Sequence, residues 1–161
     1  MSVVQVDENT LVSVSLYDTV ESLKARHTSP EADASGKALA AFATNVERVE
    51  GPTVFAQAAT PPRTYSDSKV ASTRKMKILP GKVDEVIALL KATAPVPIPG
   101  HRGAIVLKID ENTLLMHSVY NDQASLDASA ENSKKVSATF APFLAESGAR
   151  IIGKYVLDVW A

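Results

Sequence analysis

The sequence predicts an α+β protein made of two copies of a small strand–strand–helix–strand unit. Three observations predict it: an internal repeat, extended runs joined by short turn sequences, and apolar residues at helical spacing after each such pair. Val6-Asp-Glu-Asn-Thr-Leu-Val-Ser-Val-Ser-Leu-Tyr17 returns, 103 positions on, as Ile109-Asp-Glu-Asn-Thr-Leu-Leu-Met-His-Ser-Val-Tyr120. Ser22-Leu23-Lys24-Ala25 then returns as Ser125-Leu126-Asp127-Ala128. Ten of the twenty positions compared between residues 6–25 and 109–128 are identical, far more than chance pairing gives.

The second copy reads as β-α-β-β-α-β. Val70 to Leu79 is a strand candidate on β-branched content, Pro80-Gly81-Lys82 turns the chain, and Val83, Val86, Ile87 and Leu90 mark one helical face. Gly103 to Ile109 and Leu114 to Tyr120 form a hairpin around Asp110 to Asn112, which carries turn chemistry. Val136, Phe140, Phe143 and Leu144 fall at i, i+4, i+7 and i+8, so a helix is expected there, ending at Gly148 before a closing strand from Ile151 to Trp160. The first copy lacks the leading strand and helix, and its own helix carries extra residues around Pro30 and Gly36. Gln57 to Lys69, with Thr60-Pro61-Pro62-Arg63 and Ser66-Asp67-Ser68, has the composition of a surface linker. The expected boundary is near residue 65, with a truncated copy over 1–65 and a complete one over 66–161.

A chain of 161 residues, 45% hydrophobic and 22% charged, can bury a sizeable core. Seventeen Lys and Arg against eighteen Asp and Glu leave a net charge of −1, with no basic run to hold a phosphate backbone, so nucleic acid is not an expected partner. The absence of cysteine excludes disulfides, thiolate metal sites and a cysteine nucleophile. The N-terminus has neither a basic start nor a long apolar stretch, so no signal peptide and no membrane span are expected, and a cytoplasmic location is compatible.

Leu79-Pro-Gly-Lys82 ending a strand, the amphipathic helix after it, Pro99-Gly100 leading into the next strand, and Tyr120-Asn-Asp-Gln-Ala-Ser-Leu126 at a strand-to-helix junction together resemble the antibiotic-biosynthesis monooxygenase superfamily. The resemblance covers about residues 70–158 well and 3–57 in part. It implies ferredoxin-like units whose antiparallel sheets pack as a dimeric α+β barrel, here with both units in one chain. It also implies chemistry without metal, flavin or other cofactor on a phenolic, quinol-like or polyketide-like molecule. The same fold carries isomerases, cyclases and proteins without catalysis.

Among the residues that could carry chemistry, His27 lies in Leu23-Lys-Ala-Arg-His-Thr-Ser-Pro30, a variant of the histidine motif in the family's helix after the third strand. His117 stands out by the repeat itself. Val12, Val14 and Leu16 share a strand face with counterparts Leu115, His117 and Val119, so an aliphatic position has become titratable. A buried imidazole needs hydrogen-bond partners, and its face is expected to look towards the helices and a polar pocket. Tyr17 and Tyr120 recur at equivalent strand ends, either capping the barrel mouth or donating to a substrate oxygen. Met116, Phe140 and the single tryptophan, Trp160, are candidate substrate-lining residues. Arg74, Lys75 and Lys77 lie on a strand expected to be an edge, where they are either solvated charges or a cation offered to an enolate or phenolate.

Two functions follow as expectations. One is a cofactor-independent enzyme with His117 as base, His27 and Tyr120 as further catalytic candidates, and Tyr17, Met116, Phe140 and Trp160 around a small aromatic substrate. The other is a binding or assembly module whose first copy only completes the barrel. A homodimer is expected, because the truncated copy leaves a sheet edge exposed.

Overall fold

The computed structural model describes residues 2–58, 70–93 and 99–158. In chain order its elements are β1 (Ser2–Gln5), β2 (Leu11–Val14), α1 (Val20–His27), α2 (Pro30–Ala40), β3 (Thr53–Ala58), β4 (Val70–Ile78), α3 (Val83–Thr93), β5 (His101–Lys108), β6 (Thr113–Tyr120), α4 (Gln123–Ala128), α5 (Ala130–Phe140) and β7 (Leu144–Asp158). A 3-10 turn over Ala141–Phe143 joins α5 to β7. Residues 14–49 form one compact unit; residues 1–13 and 50–161 form the other.

Among the described residues the larger unit holds a seven-stranded sheet in the order β2-β1-β7-β4-β6-β5-β3, with antiparallel pairing along β1-β7-β4-β6-β5-β3. Its middle, β7-β4-β6-β5, is the strand order of a ferredoxin-like β-α-β-β-α-β unit. Side chains alternate across a strand. Met76 and Ile78 of β4, Val106 of β5 and Leu114 of β6 therefore share the face that receives Val83, Val86 and Leu90 of α3 and Phe140 of α5. Asp84 and Glu85 in the first turn of α3 and Lys91 in its last complement the helix dipole.

Equivalent sequences make equivalent contacts. In the two hairpins, Val6 N–H donates to the Thr10 carbonyl at 3.0 Å and Ile109 N–H to the Thr113 carbonyl at 2.9 Å. Asp7 accepts from Asn9 N–H, and Asp110 from Asn112 N–H, both at 2.8 Å. Thr19 caps α1 and Asp122 caps α4 by accepting from Ser22 and Ser125 N–H. The flanking strands match as well: β1 pairs with β7 through Val3↔Leu157 and Val4↔Tyr155, and β5 with β3 through Val106↔Phe55 and Leu107↔Thr53. Each ladder steps over one valine, Val156 in β7 and Val54 in β3. Beside each step lies a glycine, Gly153 and Gly51, where a Cβ would strike the carbonyl of Gln5 or Lys108 on the partner strand.

Four sequence expectations need correction. The last helix ends at Phe140, not Gly148: Pro142 tightens the chain into the 3-10 turn, β7 begins at Leu144, and Gly148 sits inside it because a Cβ there would meet the Lys75 carbonyl. Val136, Phe143 and Leu144 still pack on the Phe140 cluster, so the apolar face was read correctly while the backbone was not. β4 is an interior strand, so Arg74, Lys75 and Lys77 are not edge charges. Arg74 is half-buried, while Lys77 pairs with Glu146 of β7 at 3.1 Å. The first copy's helix is two, because Ser29 caps a new start with Pro30 at its first position. Gln57 belongs to β3 rather than to a linker. The expected boundary near residue 65 lies outside the described residues.

Candidate functional site

His117 sits in the middle of β6, paired with Thr73 of β4 on one side and Ile105 of β5 on the other. Strand parity puts it opposite Leu114 and Met116, so it faces away from α3. This corrects the helix-facing expectation, which rested on apolar neighbours without knowledge of the register. Ala56, Ile105, His117, Thr73 and Ile151 form one row across five strands. The imidazole is 5% exposed, and Ile151, at the β7 end of the row, is 42% exposed. Nδ1 lies 2.9 Å from Thr73 Oγ1 and Nε2 3.4 Å from Tyr155 Oη. A neutral imidazole has one donor and one acceptor nitrogen, and a hydroxyl can serve either, so threonine and tyrosine satisfy both tautomers. This is a hydroxyl–imidazole–phenol series held by three strands.

The remaining candidates are distributed elsewhere. Tyr120, buried at 4%, packs with Val70 and Leu126, its ring 5.2 Å from that of His101. Phe140 is in the main core cluster and Met116 packs against it. These three lie on the helix side of the sheet, so they do not share a pocket with His117. Tyr17 and His27 belong to the unit over residues 14–49, their rings edge to face at 6.3 Å and 80°. They line an open cavity of about 560 Å³ with Arg26, Asp33, Lys37 and Arg48, and the His27 ring contacts the Arg48 guanidinium. Trp160 lies outside the described residues. Thr73 and Tyr155 were not picked out from the sequence; only the register of β4, β6 and β7 reveals them, and no local pattern could have.

Among the described residues no group of three His, Cys, Asp or Glu is placed to hold a metal ion, and no helix is long and apolar enough to cross a membrane.

Residues 70–140 match the antibiotic biosynthesis monooxygenase family. No curated protein matches the chain. A solved structure from Chloroflexus aurantiacus, described as a provisional antibiotic biosynthesis monooxygenase, is 23% identical, covers 58% of this chain and 98% of its own, and superposes with a TM-score of 0.50. An anthrone oxidase-like protein is 13% identical over 88% of this chain and 69% of its own, with a TM-score of 0.63. A provisional monooxygenase from Fusobacterium nucleatum is 14% identical over 88% and 67%, at 0.66. Residues 70–140 are thus similar to the antibiotic biosynthesis monooxygenase family, and the chain has the α+β fold of these solved structures.

Proposed function

We propose that the protein is a cofactor-independent oxygenase acting on a small, electron-rich hydroxyaromatic, quinol-like or polyketide-like molecule. The observation that carries this reading is the buried His117 imidazole between the Thr73 and Tyr155 hydroxyls, where the first copy has Val14. In a water-poor setting such a ring can take a proton from a substrate whose conjugate base is stabilised by resonance. Thr73 holds the ring's orientation from Nδ1. Tyr155, partly exposed, can donate to the developing oxyanion. The substrate anion passes one electron to dioxygen, and the pair recombines as a hydroperoxide on the ring carbon. Loss of water with return of the proton leaves a carbonyl. The substrate loses two hydrogens and gains one oxygen atom, and the second oxygen leaves as water, so no external reductant is needed.

A second reading rests on the cavity over residues 14–49, which brings Tyr17 and His27 together with cationic side chains at a volume suited to a small ligand. There His27 would be the base and Arg26 the anion's partner.

Oxygen uptake with anthrone- and hydroquinone-type substrates separates the two. His117→Val is expected to lower kcat about 100-fold or more, with His27→Ala close to wild type. The reverse pattern assigns the site to the cavity. Conversion without oxygen uptake points to an isomerase or cyclase, and neither conversion nor binding of any such substrate to a binding module.

A further inference from the structure

Between its two apolar clusters the helix side of the sheet carries a polar band. Val70, Tyr120 and Leu126 pack at one end, and Met76, Ile78, Leu114 and Phe140 at the other. Two rows lie between them across β6, β4 and β7: Ser118, Ser72 and Ile152, then Met116, Arg74 and Arg150. Ser72 and Ser118 are buried. α5 turns polar at the same level. Asn132 and Ser133, both half-buried, lie on the helical stripe of Val136 and Phe140. Because Leu126, ahead of α5, packs at the Val70 end, the helix runs along β4. Ser133 stands about 10 Å back from Phe140 along the helix axis, and Ser72 and Arg74 stand about 13 Å back from Met76 and Ile78 along the strand.

Arg74 and Arg150 are direct partners in the ladder, so their Cβ atoms are about 5 Å apart on one face. A bulge arranges this. From Arg74↔Arg150 to Met76↔Ser147, two steps on β4 meet three on β7. Without the extra residue Arg150 and Ser147 would point to opposite faces. Like charges directly opposite one another are unfavourable, and among the described residues neither guanidinium meets a carboxylate. Glu131 pairs with Lys134 on the exposed side of α5, Glu146 with Lys77, and Asp127 accepts from Gln123. Arg150 donates from Nε to the Ser72 hydroxyl, which leaves its terminal Nη groups. Arg74 Nε is buried and has no acceptor. A buried donor in that condition is costly and calls for a water, an ion or a ligand as acceptor.

We propose that Arg74 and Arg150 form a binding site for a small organic carboxylate on the helix side of the sheet, across from the His117 row. The two carboxylate oxygens accept from the two guanidiniums, whose planar forks match that geometry, while Ser72 holds Arg150 in place from Nε. Met116 and Ile152 flank the pair, so the body of the acid is apolar. Ile152 is 38% exposed, so the β7 side of the band is open to entry. The site takes no part in the proposed oxidation and is tested separately from it.

Benzoate is the probe, set against its neutral isostere benzamide and against inorganic phosphate. The side-chain Nε–H resonance of Arg74, assigned by its loss in Arg74→Met, is expected to shift saturably with benzoate and to stay in place with benzamide. Saturating benzoate should raise Tm by about 5 °C or more. Arg74→Met should weaken benzoate binding about tenfold or more and leave the ligand-free protein no less stable, since a like-charge contact goes with it. Arg74→Lys keeps the charge without the fork and should also weaken binding, which provides the comparison if Arg74→Met does not fold. Unchanged affinity in both variants overturns the proposal. So does an equal response to benzamide, which would mark an apolar pocket rather than an anion site, and so does phosphate bound more tightly than benzoate. An Arg74 resonance and a Tm that no anion moves would show that water satisfies Nε and that there is no site.

Discussion

His117 replaces the branched hydrocarbon of Val14 with a group that needs two hydrogen-bond partners, and the sheet provides both. Removing the imidazole alone has a structural cost as well as a chemical one, because Thr73, 8% exposed, would be left with an unmatched hydroxyl. An unsatisfied buried hydroxyl costs about 1–3 kcal/mol, whereas replacing both partners by apolar groups is close to neutral. His117→Val is therefore expected to lose about 1 kcal/mol of unfolding free energy, and Thr73→Val with His117→Val to regain most of it, as read by urea denaturation in a double-mutant cycle. Activity should stay lost in the double variant if the imidazole is the base. A double variant that fails to recover stability would show that Thr73 finds another partner. Gly153 poses a different constraint: its missing Cβ is space the Gln5 carbonyl occupies. Gly153→Ala must push β1 from β7, for a loss of about 2 kcal/mol and a fall in Tm of about 4–8 °C.

At the scale of elements, the hairpin turns carry the same charge chemistry twice. The Asn112 backbone N–H, followed by the Thr113 side chain, holds the Asp110 carboxyl below its ordinary range; Asn9 and Thr10 do the same for Asp7. A depressed folded-state value means that the stabilisation is present above the unfolded value, near 3.9, and is lost as pH falls through the folded one. An NMR titration is expected to place both aspartate midpoints below that value, with the Asn9 and Asn112 amides shifting together with their carboxylates. Asp110→Asn, which can still accept the turn hydrogen bond without a charge, should keep the hairpin and remove its acid sensitivity. A midpoint at or above the ordinary value would refute the turn's role.

For the whole molecule, apolar side chains stay exposed on β7 at Ile151, Ile152, Val156 and Leu157. A strand that presents so much hydrocarbon to water is a natural association surface, and we expect a homodimer built on it. Light scattering should give twice the chain mass at micromolar concentration, and Val156→Lys with Leu157→Glu should return the monomer. A monomer at the highest soluble concentration would remove the idea.

The sequence by itself pointed to the hairpins, the helical face from Val83 to Leu90 and the likeness of residues 6–25 to residues 109–128, because these depend on neighbours a few residues apart or on identity between segments. It also singled out His117, since Val14 served as an internal reference. The tertiary structure alone decided which face His117 occupies, that Thr73 and Tyr155 flank it, that β4 is interior, and that Met116, Tyr120 and Phe140 lie across the sheet from it. Strand register sets all four, and a shift of one residue reverses every side chain. Register is fixed by pairing between segments more than thirty residues apart, where valine steps and close glycines act, and no local pattern along the chain encodes it.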